Sequence, residues 1–282
     1  MSLYDSVAQQ TASIVIRRYS TSFGLASRLL GPGVRQHVEN IYALVRVADE
    51  IVDGSGTQAG LDLLATGQAL NALEAETELA IELGFSSNLV VHAFALTARQ
   101  TGFGSELTTP FFESMRTDLT ETEHDQESFD RYVYGSAEVI GLMCLRAFVL
   151  NERVDDLPAL EDAARALGAA FQKVNFLRDL RADFDALGRS YFPGVSVESF
   201  DENDKNRLLD DIDADLATSA SALAQLPRSS RRAVALAQSL FAELSRRLRA
   251  TPAAQLRSTR VRVPNPVKAR LALGAASGRL PS

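Results

Sequence analysis

Apolar residues recur along most of this chain at the three-to-four-residue spacing of amphipathic helices. The pattern predicts helices over 4–18, 20–30, 34–53, 60–83, 88–101, 108–119, 127–150, 157–185, 203–224, 229–250 and 264–275. Glycine and proline fall between these segments, as in Gly31-Pro32-Gly33, Gly54-Ser55-Gly56 and Tyr191-Phe192-Pro193-Gly194. Only Val261 to Pro264 alternates as a strand would, and its proline argues against one. There is no solenoid repeat, low-complexity tract or linker. The expectation is an all-α protein with one large helical domain spanning 1–282.

Two segments break the ordinary amphipathic pattern. From Ile41 to Asp53, the residues Tyr42, Arg46, Asp49 and Asp53 fall within roughly a 60° arc of the helical wheel. The rest of that wheel is mostly apolar, with Ile41, Leu44, Val45, Val47, Ala48, Ile51 and Val52. From Leu167 to Asp183, the residues Gln172, Asn175, Asp179 and Asp183 share roughly an 80° arc. A polar stripe is usually the solvated face of a helix, and aspartates four apart arise by chance. Here the stripes are narrow, and one arrangement occurs twice, about 130 residues apart. Like charges at i, i+4 also weaken a helix by a few tenths of a kcal/mol, so local stability does not account for them. Magnesium takes carboxylate oxygens and shares its other positions with water and substrate phosphates. Two such helices facing each other could hold metal ions and a diphosphate between them, with a nearby arginine neutralising departing charge.

Composition narrows the field. Net charge is −7, from 29 basic and 36 acidic residues, which argues against a nucleic-acid binder. The single Cys144 permits no internal disulfide and fits a reducing compartment. The histidines, His37, His92 and His124, form no zinc-ligand spacing with it. Residues 1–10 carry no signal-peptide pattern, and no unbroken run of about 18 apolar residues predicts a membrane span. With no tryptophan, the core rests on Leu, Ala, Val and Ile.

These motifs resemble the squalene and phytoene synthase family of head-to-head prenyl transferases, over nearly the whole chain. Ser20-Thr21-Ser22-Phe23 matches the family's Ser-x-Ser-Phe element. Tyr42, Arg46, Asp49 and Asp53 match its first acid motif, and Gln172, Asn175, Arg178, Asp179 and Asp183 match its second. Tyr132 to Gly141 resembles the central Tyr-x-Tyr helix, and Gly188-Arg189-Ser190-Tyr191-Phe192-Pro193 matches Gly-Arg-x-Tyr-x-Pro. Arg260 stands where a basic residue precedes Val-x-Val.

The resemblance implies an isoprenoid-synthase fold around a central apolar cavity. It implies Asp49, Asp53, Asp179 and Asp183 as ligands of magnesium, with manganese as a substitute. It implies Ser20, Ser22, Arg46, Gln172, Asn175, Arg178 and Arg260 as diphosphate contacts, and Tyr42 and Tyr132 as aromatic groups near the reacting carbons. Phe23 and Ser27 belong to the same substrate-binding set. The small Ala26 and Ser27, one turn past Phe23, leave the tunnel deep enough for a twenty-carbon chain. The expected reaction is therefore condensation of two geranylgeranyl diphosphates through a cyclopropyl diphosphate to phytoene. The alternative is dehydrosqualene, squalene or hydroxysqualene synthesis from farnesyl diphosphate. A cytoplasmic enzyme is expected, with peripheral contact at the inner face of the membrane compatible with a very lipophilic product.

Two positions depart from the family pattern: Glu138 replaces a small glycine, and Phe241 stands where a tyrosine is expected. On the wheel Glu138 lies roughly opposite Ser136, which would turn it away from the tunnel. Glu50 points about 100° from Asp49 and is left out of the acid set. Asp118 is a supporting acid behind the metal ligands, Cys144 a packed thiol, and the arginines of 228–250 a solvated face. A non-catalytic scaffold of the same family, or a plain helical interaction module, would leave the acid quartet unexplained.

Overall fold

The computed structural model describes residues 2–20 and 22–278; the side chains of Ser22, Asp183, Ala186 and Leu187 lie outside the description. In chain order the helices are α1 (Leu3–Tyr19), α2 (Ser22–Ser27), α3 (Pro32–Val52), α4 (Ser55–Gln58), α5 (Leu63–Leu83), α6 (Leu89–Thr101) and α7 (Ser105–Thr120). They continue as α8 (Gln126–Val133), α9 (Val139–Val149), α10 (Leu157–Leu187), α11 (Glu202–Ala222), α12 (Arg228–Ala250), α13 (Ala253–Leu256) and α14 (Asn265–Ala276). A π-helical turn, Tyr134–Glu138, joins α8 to α9. No strand forms among the described residues; one isolated bridge pairs Glu123 with Ser190. The alternating segment 261–264 is extended but unpaired.

The predicted boundaries hold to within a few residues because the caps are written locally. Ser2 and Asp5 form a reciprocal capping box that starts α1, and Asn88 caps the first amides of α6. Pro32 opens α3 from its first turn, where its missing N–H costs nothing. The apolar faces of α1, α3, α5, α6, α7 and α9 bury one core, which includes Phe94, Phe111 and Phe112. Removing each of these rings from water contributes about 1.5–3 kcal/mol. A second core lies under α8, α10, α11 and α12. Residues from both sides border a central cavity.

The π-turn was not foreseen as a break in the predicted 127–150 helix. It is a place of unusually close approach. A Cβ on Gly135 would lie 2.1 Å from the Pro110 carbonyl oxygen, and one on Gly168 of α10 would lie 2.5 Å from the Ala137 carbonyl. Only glycine lets α7 and α10 pack this tightly against the turn. The run Gln126–Val149 is also long and apolar enough to cross a membrane, by length and composition alone. Charged residues such as Glu138 and Arg146 interrupt it, so no unbroken apolar run marks it in the sequence. In the fold it packs against α3, α7 and α10.

Candidate functional site

The cavity holds about 720 Å³. Its wall changes character along its length. Ser20, Tyr42, Arg46, Gln172, Asn175, Arg178 and Arg260 give it a polar end. Leu30, Leu145, Phe148, Leu160, Leu223 and Val234 give it an apolar one. Helix α3 runs from Val38 toward Arg46 along this wall, while α10 runs from Leu160 toward Arg178. Both line it with the first residues of their polar stripes, Tyr42 and Arg46 on α3 and Gln172 and Asn175 on α10, whereas Asp49, Asp53 and Asp179 are not among the lining residues. Phe23, Ala26 and Ser27 of α2 also line the cavity, and the Ser27 hydroxyl is spent on the Gly24 carbonyl at 3.0 Å. Every substrate contact expected from the sequence lines this one cavity, except Ser22, whose side chain lies outside the described residues.

The α3 stripe ends in carboxylates. Asp53 caps the C-terminus of α3 and Asp49 lies one turn before it, where the helix dipole disfavours negative charge. Arg46 pairs with Glu50 and lies 4.0 Å from Asp49, while its guanidinium stacks 4.4 Å over the Tyr19 ring. Glu50 also accepts hydrogen bonds from the Ser55 amide at 2.9 Å and hydroxyl at 2.7 Å, which hold its carboxyl down to about 2 together with Arg46. So Glu50 ties α3 to α4, away from Asp49. Asp49 keeps 41% of its side-chain surface accessible, yet protein crowds the carboxylate on its other sides. Desolvation pushes it up to about 7; Arg46 opposes the shift, and Asp53 and Glu50 add to it.

Asp53 meets Arg189 in a two-pronged pair, at 2.8 and 3.0 Å. Arg189 follows α10, and its chain is laid back against the α7–α8 loop by the Ser190 amide, which donates to the Thr122 carbonyl at 2.8 Å. The guanidinium is almost fully buried. It also donates to the Asp118 carbonyl at 2.6 Å and the Tyr191 hydroxyl at 3.1 Å, and it lies 3.5 Å from the Asp118 carboxylate. Burial opposes its charge, but the Asp53 hydrogen bonds and the Asp118 charge outweigh that and raise its pKa.

Behind this pair stands Tyr132, whose hydroxyl donates to the Asp118 carboxylate at 2.8 and 2.9 Å. Tyr132 is buried among Phe176, Tyr191 and His124 rather than on the cavity wall. The sequence placed it near reacting carbons; the structure places it in the support of the α3 acids. Desolvation pushes Asp118 up to about 7 as well, with Arg189 opposing. Sequence reasoning kept Asp118 as a supporting acid but left Arg189 out of the site. The available signal was an arginine placed just past the second acid stripe.

On the α10 side, Asp179 is gripped by Arg178 and by Arg260, whose Nε lies 2.7 Å from Oδ1 and whose Nη2 donates to Oδ2 at 3.1 Å. Asp183 follows one turn later on α10, with its side chain outside the described residues. Tyr42 stacks on Phe23 with ring centres 5.8 Å apart. Phe241 lines the cavity and stacks on Phe171 at 3.7 Å, so an apolar ring pair occupies the place where a hydroxyl was expected. Glu138 does not line the cavity; its surrounding charges are Arg165, Asp215 and Lys173 on the outer side. Cys144 lines the cavity as a thiol that desolvation pushes up to about 12, so it stays neutral. The arginines of α12 are not simply solvated: Arg246 and Arg247 pair with Glu243, and Arg249 with Asp210 and Asp213.

The side chains of the acid stripes that could hold a metal are carboxylates, without thiolate or imidazole, which fits a hard dication. No three Asp, Glu, His or Cys side chains converge on one point among the described residues. An ion there would complete its shell with water and diphosphate, as magnesium does. The arginines now on Asp53 and Asp179 are the positive charge those carboxylates use within the chain itself.

A family model for squalene/phytoene synthase matches residues 16–266. The 15-cis-phytoene synthase of Paracoccus sp. is 31% identical over 65% of this chain and 59% of its own length. The phytoene synthase of Pseudescherichia vulneris is 29% identical over 82% of this chain and 79% of its own. A crystal structure of a dehydrosqualene synthase in complex with a ligand superposes with a TM-score of 0.78, at 20% identity, over 97% of each chain. The last likeness establishes the isoprenoid-synthase fold around the cavity, and with the family match the chain belongs to the squalene/phytoene synthase family of prenyltransferases.

Proposed function

We infer that the protein condenses two geranylgeranyl diphosphates head to head, through a cyclopropyl diphosphate, to phytoene, releasing diphosphate for carotenoid biosynthesis. The observation that carries this reading is the cavity's polarity: guanidinium and amide groups at one end, hydrocarbon along the rest. A diphosphate at the polar end would take charge-assisted hydrogen bonds from Arg46, Arg178 and Arg260, and neutral ones from Gln172 and Asn175. Its prenyl tail would run along the apolar wall, gaining about 0.8 kcal/mol per buried CH₂. The similarity to named phytoene synthases supports the same reading.

Asp49, Asp53, Asp179 and Asp183 would hold magnesium, or manganese in its place. When bound, the metal draws off charge as diphosphate departs. The chain's own residues do the rest. The apolar wall keeps water from the allylic cation, and the faces of Tyr42 and Phe23 offer it π density. Ala26 and Ser27 are small and buried on the cavity wall, and the lack of a bulky side chain there supports the twenty-carbon reading.

The test is incubation of the purified protein with magnesium and geranylgeranyl diphosphate, without NADPH, followed by extraction. A forty-carbon conjugated triene is expected. Turnover of farnesyl diphosphate alone would overturn the substrate assignment while keeping the chemistry, and turnover of neither would overturn the reading.

A further inference from the structure

Three arginines line the polar end of the cavity, and they are held in different ways. Arg178 spends Nε and Nη2 on Asp179, and Arg260 spends the same two nitrogens on the same carboxylate. Arg46 pairs with Glu50 through Nη2. Its Nη1 lies 4.0 Å from Asp49, beyond hydrogen-bond reach. Of the Arg46 nitrogens only Nε is both buried and unpartnered, so Nη1 keeps accessible surface. The other group that holds Arg46 is a ring. The guanidinium carbon stands 4.4 Å over the centre of Tyr19, which itself lines the cavity.

The meeting of these two residues is set by register. Helices α1 and α3 run side by side in the same direction. Gln36 Nε2 donates to the Gln9 carbonyl at 3.1 Å, an offset of 27 positions, and Ser13 bonds Glu39 at an offset of 26. Carried to the last residue of α1, the same offset brings Tyr19 to Arg46. The backbone there is pinned. Ser20 ends α1 with its amide on the Ile16 carbonyl at 3.0 Å, and its hydroxyl accepts from the Phe23 and Gly24 amides of α2 at 3.1 and 3.3 Å. The Tyr19 side chain is nonetheless exposed, so it contributes little to the core.

A ring supports an arginine differently from a carboxylate. A guanidinium carries its N–H donors in its own plane, and an aromatic face attracts it from above that plane. Tyr19 thus holds Arg46 without consuming a donor, whereas Asp179 consumes donors of Arg178 and Arg260. The carboxylate that Arg46 does use, Glu50, is shared with the Ser55 amide and hydroxyl at the start of α4. Freedom lost by a long side chain on binding weakens the binding, and a guanidinium already stacked has lost that freedom beforehand.

We propose that Tyr19 is a positioning residue for Arg46: its ring face holds the guanidinium at the polar end of the cavity, with Nη1 left to donate to a diphosphate oxygen of the substrate. The proposal rests on the functional reading above, in which Arg46 contacts diphosphate. The ring acts here and the hydroxyl does not.

The experiment is calorimetric titration of wild type, Tyr19→Phe and Tyr19→Leu in magnesium buffer. The ligand is geranylgeranyl thiolodiphosphate, in which sulfur replaces the bridging oxygen and ionisation is blocked. Tyr and Leu at position 19 are compared again in an Arg46→Gln background. The expected result is about fivefold weaker binding by Tyr19→Leu, as for loss of a cation–π contact at a partly exposed site. Tyr19→Phe, which keeps the ring, should bind as wild type does. In the Arg46→Gln background, Tyr19→Leu should make no further difference. A Tyr19→Leu loss carried unchanged into that background would make Tyr19 a packing residue and overturn the assignment. Equal affinity of Tyr19→Leu and wild type would overturn it too, as would a Tyr19→Phe variant as weak as Tyr19→Leu, which would give the role to the hydroxyl. The background comparison subtracts any folding defect of Tyr19→Leu, so a lowered melting temperature leaves the test decisive. Each of those results leaves the functional reading intact. A wild-type protein that neither binds the thiolodiphosphate nor turns over prenyl diphosphates would overturn the functional reading, and the Tyr19 assignment with it.

Discussion

The two acid stripes share a sequence pattern, aspartates four residues apart with hydrogen-bonding residues before them, yet the fold holds them in opposite ways. On α3, Asp53 is fixed by Arg189, a guanidinium only 8% exposed and backed by Asp118, Tyr132 and Tyr191. On α10, Asp179 is held by its neighbour Arg178 and by Arg260, which is 51% exposed in the segment before α14. On the α3 side the arginine is buried and its carboxylate is 37% exposed; on the α10 side the carboxylate is 17% exposed and one of its two arginines lies out at the surface. On the α10 side the more exposed counter-charge is Arg260. On the α3 side the counter-charge of Asp53, Arg189, is built into the interior. The same local spacing thus gives two electrostatic settings, because each counter-charge comes from elsewhere in the chain.

The largest effect that can break this comparison is chemical. If both stripes serve the same metal-diphosphate site, Asp49→Ala and Asp179→Ala should each lower turnover by about a thousandfold or more, roughly 4 kcal/mol. Steady-state product formation measures this, and melting curves should show both variants folded. Loss from one variant only would mean that the stripes are unequal partners in the reaction. Activity retained in both would favour a scaffold.

Stability should separate the two sides. Arg189→Ala leaves Asp53 and the buried Asp118 without their cation, and breaking such a pair costs about 3–5 kcal/mol. Arg260→Ala removes an exposed partner, for which about 0–1 kcal/mol is expected. Urea unfolding of the two variants checks the contrast, and similar midpoints would dissolve it. Gly135→Ala sharpens the picture from behind the site. Its methyl would press on the Pro110 carbonyl and Ser114, forcing the π-turn off α7 at an expected cost of about 1–3 kcal/mol.

Much of this architecture is legible in the sequence. The helices are legible because caps and apolar periods are local, as at Ser2, Asn88 and Pro32. The polar lining is legible because stripes on α3 and α10 are fixed by helical geometry once each face is known. The π-turn is not, since it is imposed by Gly135 and Gly168 meeting chains far away in sequence. Nor is the Arg189–Asp53 pair, which spans 136 positions. Tyr132 shows the same limit. Its aromatic ring suggested the reacting carbons, but its hydroxyl belongs to Asp118, a partner that only the packing of α7 against α8 supplies.

The smallest effect is a pH signature of the α3 acids. Desolvation raises both Asp49 and Asp118 to about 7 in the folded chain, whereas in the unfolded chain such carboxyls release their protons near about pH 4. Between those values the folded state binds more protons, so the contribution of these groups to stability falls as pH rises, and it levels off above about 7. Carboxyls held low by hydrogen bonds, such as Glu50, act in the opposite sense below about pH 4, while Glu138 and Asp215, raised by burial, add to the fall in both the wild type and an Asp118→Asn variant and cancel from the comparison. Asp118→Asn removes one of the two titrations. Its stability relative to wild type should therefore rise steadily from about pH 4 to 7 in metal-free buffer, as read by urea unfolding at each pH. A difference that stayed flat across the window would show that Arg189 keeps Asp118 ionised throughout. The α3 network would then be a fully charged cluster, closer in kind to the clasp around Asp179.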